Sequence, residues 1–346
     1  MIMSNLINGA MFSYYIRYEK LFELCNKTLK DIDVDTINVY IDIEDMIKPL
    51  YANLKSYNNF ELSSRVINLI AHIRGYLYSA HRLYAKVFLV YGENNYYNNT
   101  PYIEKNMTSY ITINRYIKNE LEFVKLLTPY IDDAYYVNKK CNFSTFVYDN
   151  IITKRTDHNP NIIITKNKYA YQLPALCDNT HIFRPKKYSG DDISYSISYT
   201  NIYDILFKHI TLESTKNKLR TLSPKLIGLF MALIGLPKNG LVSVMNTTTV
   251  VNELYNAINN HLLLNDYNGD VEYIYKTIPV IGEYLSYNDF CNRYYYTDLI
   301  KQHILYTNTP EYADNSYLIN ITDPETVKSI AFRYYKYPYS LDLNYL

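Results

Sequence analysis

Tryptophan is absent from this chain, and only 9 of its 346 residues are glycine and 4 are cysteine. The cysteines, Cys25, Cys141, Cys177 and Cys291, stand far apart and form no CxxC pair. They read as free buried thiols in a reducing compartment. The 7 histidines lack ligand spacing, so no zinc site is expected. Net charge is also nearly missing, at +1. No global field therefore points to nucleic acid or an anionic membrane, although a local basic face remains open. Residues 1–12 carry no charged leader and no apolar run of the secretory type, so no signal peptide is expected. The longest apolar run, Leu226–Leu236, is too short to span a bilayer. A soluble protein with no membrane partner is expected.

What is abundant is tyrosine, at 42 residues, with asparagine, isoleucine and lysine also plentiful. Those residues have AT-rich codons, whereas glycine and tryptophan do not. The bias points to a phage, a large DNA virus or an AT-rich bacterium. Codon drift plus core and interface filling accounts for the tyrosines, whose rings are apolar and whose tips are polar. At 48% hydrophobic the chain has enough apolar surface for a core, and its length suits two domains or one extended domain.

Ile37–Ile43 is the stretch from which the fold can be built. It is β-branched and aromatic, holds no Gly or Pro, and delivers Asp42 to its far end. Lys86–Tyr91, Asn161–Thr165 and Thr180–Phe183 read as further strands, and Tyr135–Val137 as a short one. Helices are predicted over Phe12–Lys30, Met46–Leu54, Leu62–Tyr84, Ile111–Leu127, Phe143–Ile152, Pro224–Leu236, Thr247–Leu264 and Pro324–Tyr334. His72, Arg74, His81 and Arg82 read as solvated or core-edge residues of the third of these. Asn94–Pro101 and Lys186–Tyr195 read as loops. Strands alternating with helices predict an α/β fold with a mostly parallel sheet flanked by helices. In such sheets ligands bind beyond the carboxyl ends of the strands, where Asp42 would lie.

Two windows carry a resemblance. One is Ile162–Leu173, Ile-Ile-Ile-Thr-Lys-Asn-Lys-Tyr-Ala-Tyr-Gln-Leu. The other is Leu222–Val244, Leu-Ser-Pro-Lys-Leu-Ile-Gly-Leu-Phe-Met-Ala-Leu-Ile-Gly-Leu-Pro-Lys-Asn-Gly-Leu-Val-Ser-Val. Together they resemble the 5′-nuclease family of flap endonucleases and 5′-3′ exonucleases, which has a PIN-like fold. In that family the strand ends T-x-D-x-D-x-x-Q-L. The later helix reads P-x-x-x-x-D-x-x-A-L-x-G-D-x-x-D-N-I-P-G-V and opens a helix–three-turn–helix element. The resemblance spans roughly residues 37–265. It implies four parts: a helical extension over 1–36, a PIN-like α/β domain over 37–215, a helix–three-turn–helix-like element over 216–269, and a Tyr-rich, mostly helical region over 270–346.

The resemblance also implies that the chemistry has degenerated. Family members hold two divalent metals in a carboxylate cluster. Here Asp42 keeps the first position, vestigially. Tyr91-Gly92 stands where the second strand should end in Asp, and Asn142-Phe143-Ser144-Thr145 stands for the third cluster. Asn167 and Tyr169 replace the paired acids of the T-x-D-x-D window, and Leu236 and Asn239 those of the helical element. The nearby acids Glu44, Asp45, Glu93, Asp132 and Asp133 read first as solvated surface or cap residues, and the Asp132-Asp133 pair is the best candidate among them to rebuild a site. The expectation is no catalytic residue, no metal ligand and no cofactor, with magnesium only if nuclease activity remains. Lys225, Lys238, Asn239 and Gly240 are the candidate nucleic-acid contacts. The balance of the acids is against an enzyme. It favours a structural or interaction subunit of a tailed-phage particle, found in the virion or the host cytoplasm, whose partners are other protein subunits. The competing expectation is a viral DNA-binding protein or residual nuclease.

Overall fold

A computed structural model of the protein describes residues 34–42, 59–92, 127, 130–137, 143–154, 159–165, 167–184, 195–197, 199, 201–207, 209–235, 241–265, 270–308 and 316–318. The predicted helices Phe12–Lys30, Met46–Leu54 and Pro324–Tyr334, almost all of Ile111–Leu127, and Cys25 and Cys141 lie outside these residues.

The predicted strands form. They are β1 (Thr36–Asp42), β2 (Tyr84–Gly92), β3 (Asp133–Val137), β4 (Asn161–Ile164) and β5 (Thr180–Arg184). Two short strands, β6 (Tyr195–Ile197) and β7 (Ser316–Leu318), were not expected. The seven make one sheet in the order β6-β5-β4-β1-β2-β3-β7. The five inner strands are all parallel, and β6 and β7 run antiparallel at the edges. The fold is thus α/β with a mostly parallel sheet flanked by helices. The edge strands correct one expectation: Tyr195 belongs to a strand rather than a loop. With three residues each, neither strand is long enough to show a period of two.

Alternation along β1 separates two packing faces. Ile37, Val39 and Ile41 are fully buried on one face. The helix α1 (Asn59–His81) packs against β2 and buries Val66, Ile67, Ile70, Ile73 and Leu77. Arg74 of this helix, read from sequence as solvated or core-edge, is buried. Its guanidinium donates to the carbonyls of Ala85 (3.0 Å) and Tyr130 (2.9 Å) and to Asp132 (2.6 Å).

The other face carries Tyr40, Phe88, Val90, Ile163 and Ile182, which join a core that continues to Tyr306. Its helices are α2 (Phe143–Asp149), α3 (Leu173–Leu176), α4 (Ile202–Leu206), α5 (Glu213–Thr221), α6 (Ile227–Ile234), α7 (Thr247–Asn259), α8 (Val271–Thr277), α9 (Val280–Tyr284), α10 (Tyr287–Thr297) and α11 (Leu299–Thr307). The predicted helix from Pro224 starts as a 3-10 turn, Pro224–Leu226, capped by the Ser223 hydroxyl. It ends at Ile234, because Gly235 turns the chain at φ 82°. A side chain there would also strike the Val242 carbonyl oxygen at 2.4 Å. The α7 helix starts at Thr247 as expected, but Asn246 rather than a threonine caps it, and it ends at Asn259. Among the described residues no helix is long and apolar enough to cross a membrane.

Phe230 on α6 is fully buried among Tyr203 (5.6 Å between ring centroids) and Phe207 (5.4 Å). It shares one core with Leu233, Val250, Val251 and Leu254. Truncation of a buried Phe leaves a cavity and removes transfer energy, together about 3–5 kcal/mol. Phe230→Ala is therefore expected to lower the unfolding free energy from urea titration by that amount, and an unchanged midpoint would contradict the packing described.

Candidate functional site

The carboxyl ends of β1 and β4 meet as neighbours. Asp42 closes β1 and is buried, with 3% of its surface exposed. The Thr165 hydroxyl, just past β4, donates to Asp42 Oδ2 at 2.8 Å. The same hydroxyl accepts from the Asn167 backbone N–H at 3.0 Å. Asp42 and Asn167 are thus joined through one threonine, the Thr of the T-x-D-x-D window.

Asn167 acts here as a cap. Its Oδ1 accepts from Tyr169 N at 2.9 Å and starts the 3-10 turn Lys168–Gln172. Tyr169 faces the core, where its ring meets Tyr296 edge-on at 5.7 Å. Two divalent ions need several hard oxygen ligands. The positions described at this edge supply one carboxylate, one capping amide and one packed phenol, which do not fit such a pair. Among the described residues no group of three or more His, Cys, Asp or Glu could hold a metal ion. Leu236, Lys238, Asn239 and Gly240 lie outside the described residues.

The Asp132-Asp133 pair sits elsewhere. Asp42 is level with Val90 and Tyr135, whereas Asp133 pairs with Phe88, two residues nearer the amino ends of the strands. Asp132 lies beyond it, accepting from Arg74, from the Val87 backbone N–H (2.6 Å) and from the Tyr84 hydroxyl (3.1 Å). It fastens α1 to the start of β3 and is not placed beside Asp42.

Other polar groups were not anticipated as a set. Gln172 is buried, donates to the carbonyls of Tyr169 (3.3 Å) and Thr297 (2.8 Å), and accepts from Leu299 N (3.0 Å). Asp149 on α2 is fully buried and meets His303 Nε2 at 2.9 Å and the Thr153 hydroxyl at 3.0 Å. Arg293 is buried and donates to the carbonyls of Ala232 and Val242, both at 2.7 Å, so it pins the turn after α6. Apart from the Gln172–Tyr169 and Asp149–Thr153 contacts, each pairing crosses a long stretch of sequence, and no local spacing announces it. The Q-L of the window is the one signal that marked Gln172.

Lys225 is exposed and lines a cleft of about 610 Å³ together with Tyr199, Tyr203, Asp204, Arg220 and Asn265. The cleft opens at the start of α6, the opposite end of that helix from the turn after Gly235.

Burial sets the acid–base character of several groups. It pushes the Cys177 thiol and the Tyr148 phenol up to about 12, in each case with smaller help from neighbouring negative charge. Asp298 caps α11 by accepting from Lys301 N at 3.0 Å. Burial nevertheless raises its carboxyl from 3.8 to about 6, against the lowering effects of Lys301, the Ile300 N–H and the Tyr294 hydroxyl. Because the folded carboxyl holds its proton more tightly than the unfolded one, stability falls as pH rises from about 4 to about 6. The loss is about 3 kcal/mol. Asparagine is also a good N-cap and has no charge to bury. Asp298→Asn is expected to flatten this pH dependence and to unfold at higher urea than the unsubstituted protein at neutral pH, with the difference closing below about pH 4. Urea titrations across that range provide the check.

No family model matches this chain, and no curated relative matches it. Among solved structures it is similar to a mutant of T5 5′-exonuclease, at 11% identity, covering 86% of this chain and 100% of that chain, with a TM-score of 0.45. It is also similar to the catalytic core of Rad2 in complex with a DNA substrate, at 10% identity, covering 94% of this chain and 98% of that chain, with a TM-score of 0.42.

Proposed function

We propose that this protein keeps the frame of a 5′-nuclease without its metal chemistry and works as an interaction subunit of a larger assembly, a tailed-phage particle being the setting that its AT-biased composition suits. The observation that carries this reading is the strand edge itself. Asp42 is buried under the Thr165 hydroxyl, Asn167 is used as a cap, and Tyr169 belongs to the core. A fold that has lost a metal cluster can persist as a scaffold.

The distribution of apolar surface supports the interaction role. Leu264 is 68% exposed, and Tyr273, Tyr284 and Tyr287 are each 40% exposed or more. Tyrosine and leucine side chains left in water along 262–287 suit a protein interface, where a ring is buried and its hydroxyl stays wet. The competing reading, a DNA-binding protein contacting phosphate through Lys225, Lys238, Asn239 and Gly240, has exposed Lys225 in its favour.

Calorimetry with magnesium or manganese is expected to show no tight site, and flapped or single-stranded DNA is expected to remain intact with either ion. Metal-dependent cleavage that disappears in Asp42→Ala would overturn the loss of chemistry. Mass spectrometry of purified particles from the source tests the assembly role, since a protein absent from them and monomeric in sedimentation would leave the DNA-binding reading.

A further inference from the structure

The joint between α10 and α11 holds a buried carboxylate without a counter-ion. Asp298 is 3% exposed and leads directly into α11. Its oxygens are met by neutral donors: the backbone N–H groups of Lys301 and Ile300 and the Tyr294 hydroxyl. Among the described residues no ion pair reaches it, and the Lys301 ammonium helps only at longer range. From α6 the Gly228 backbone closes over it. From the turn after β4 comes Gln172, whose Oε1 accepts from Leu299 N. From α2 comes Tyr148, itself near the Cys177 thiol. Burial pushes both of these up to about 12, so both are neutral where a carboxyl titrates. Ionising Asp298 in place is unfavourable, because nothing in the joint replaces its water.

The helix that Asp298 caps is lightly attached. Of the 9 residues of α11, Leu299, Gln302 and Tyr306 are buried. Ile304 and Leu305 are 44% and 48% exposed. Toward α2, Gln302 accepts from the Thr145 hydroxyl at 2.7 Å. His303 Nε2 meets Asp149 at 2.9 Å, and its ring lies edge-on to Tyr148 at 5.2 Å. In β1, by contrast, every residue from Ile37 to Asp42 is buried. An element with few buried apolar side chains opens at lower free energy than a core strand.

We propose that the α10–α11 joint is a pH-sensitive clasp: protonated Asp298 holds α11 on α2, and ionised Asp298 releases α11 by local opening while the sheet stays folded. Opening lets water reach the carboxylate by exposing one short helix rather than the whole core. It also bares the face of α2 that carries Thr145 and Asp149. Burial sets the direction. The folded carboxyl keeps its proton up to about 6, against 3.8 ordinarily. The clasp is therefore tightest below about pH 4, loosens as pH rises, and is loosest above about pH 6. A shift of that size changes the opening equilibrium about a hundredfold.

The experiment is native-state hydrogen exchange of the full chain from about pH 4 to about pH 7, corrected for the intrinsic pH dependence of exchange. Amides late in α11, from His303 to Tyr306, are expected to open about a hundredfold more often at the upper end than at the lower. At every pH they are expected to open more often than those of Val39–Ile41 in β1. Asp298→Asn keeps a capping side chain without the charge. It also leaves the Asp149–His303 pair in place, so it separates the two sources of pH dependence. In this variant α11 is expected to stay closed, with the hundredfold change gone. Equal opening of α11 and β1 throughout overturns the proposal, because only global unfolding then exposes Asp298. Opening of α11 that does not change with pH overturns it, as does a hundredfold change that persists in Asp298→Asn.

Discussion

Among the described residues, Gly228 is a point where the chain has no room for a side chain. A methyl group placed on it would lie 2.4 Å from the Asp298 carboxylate, 2.7 Å from the Asp298 Cα and 2.8 Å from Gln172 Oε1. Three parts of the chain therefore converge on one missing side chain: the turn after β4, the first turn of α6, and the junction between α10 and α11. Thr297 closes the same point by donating to the Gly228 carbonyl at 2.8 Å. Interiors are packed like organic crystals, so backbones that approach this closely fix the helices that carry them. The sheet and the C-terminal helices are joined here, which explains why one core runs from Tyr40 on β1 to Tyr306 on α11.

That junction also explains what became of the strand edge. Tyr169 and Gln172 belong to one 3-10 turn, and both are directed into the core. Gln172 ties the turn to Thr297 and Leu299, while Tyr169 meets Tyr296. An acid at position 169 would be buried in this packing without the metal that makes such burial tolerable. The turn therefore serves the core, and Asp42 at the edge accepts from the Thr165 hydroxyl.

Buried polar groups elsewhere do comparable joining. Arg74 links α1 to β2 and to the residues before β3, Arg293 links α6 to the turn after it, and the Asp149–His303 contact links α2 to α11. In the interior, a paired polar group fixes position as well as adding energy, because displacement leaves it desolvated and unmatched. The surface cleft is the contrast. Its backbone is satisfied by Asn265, Tyr203 and Ser223, while Arg220 is held only by loose, exposed ion pairs.

Strand identity, parallel order and the position of Asp42 were legible in the sequence, because β-branched runs such as Ile37–Ile41 and Ile162–Ile164 have no reasonable fate except a buried sheet. The start of the helical stretch leading into α6 could also be read, from Ser223-Pro224, whereas its end, expected at Leu236 before Pro237, falls at Ile234 before Gly235. The partners of the charged and amide groups could not be read. Arg74 reads as solvated or core-edge and is buried with three partners; the Asp132-Asp133 pair is the best of the unpromising candidates for a rebuilt site, and Asp132 is an anchor for Arg74. Asn167 looked like a lost acid and is a working cap, while His303 and Asp149 sit 154 residues apart in sequence. Local periodicity reports which face of an element avoids water. It carries no record of which distant element will cover that face, and only the tertiary structure decided which polar groups would meet there.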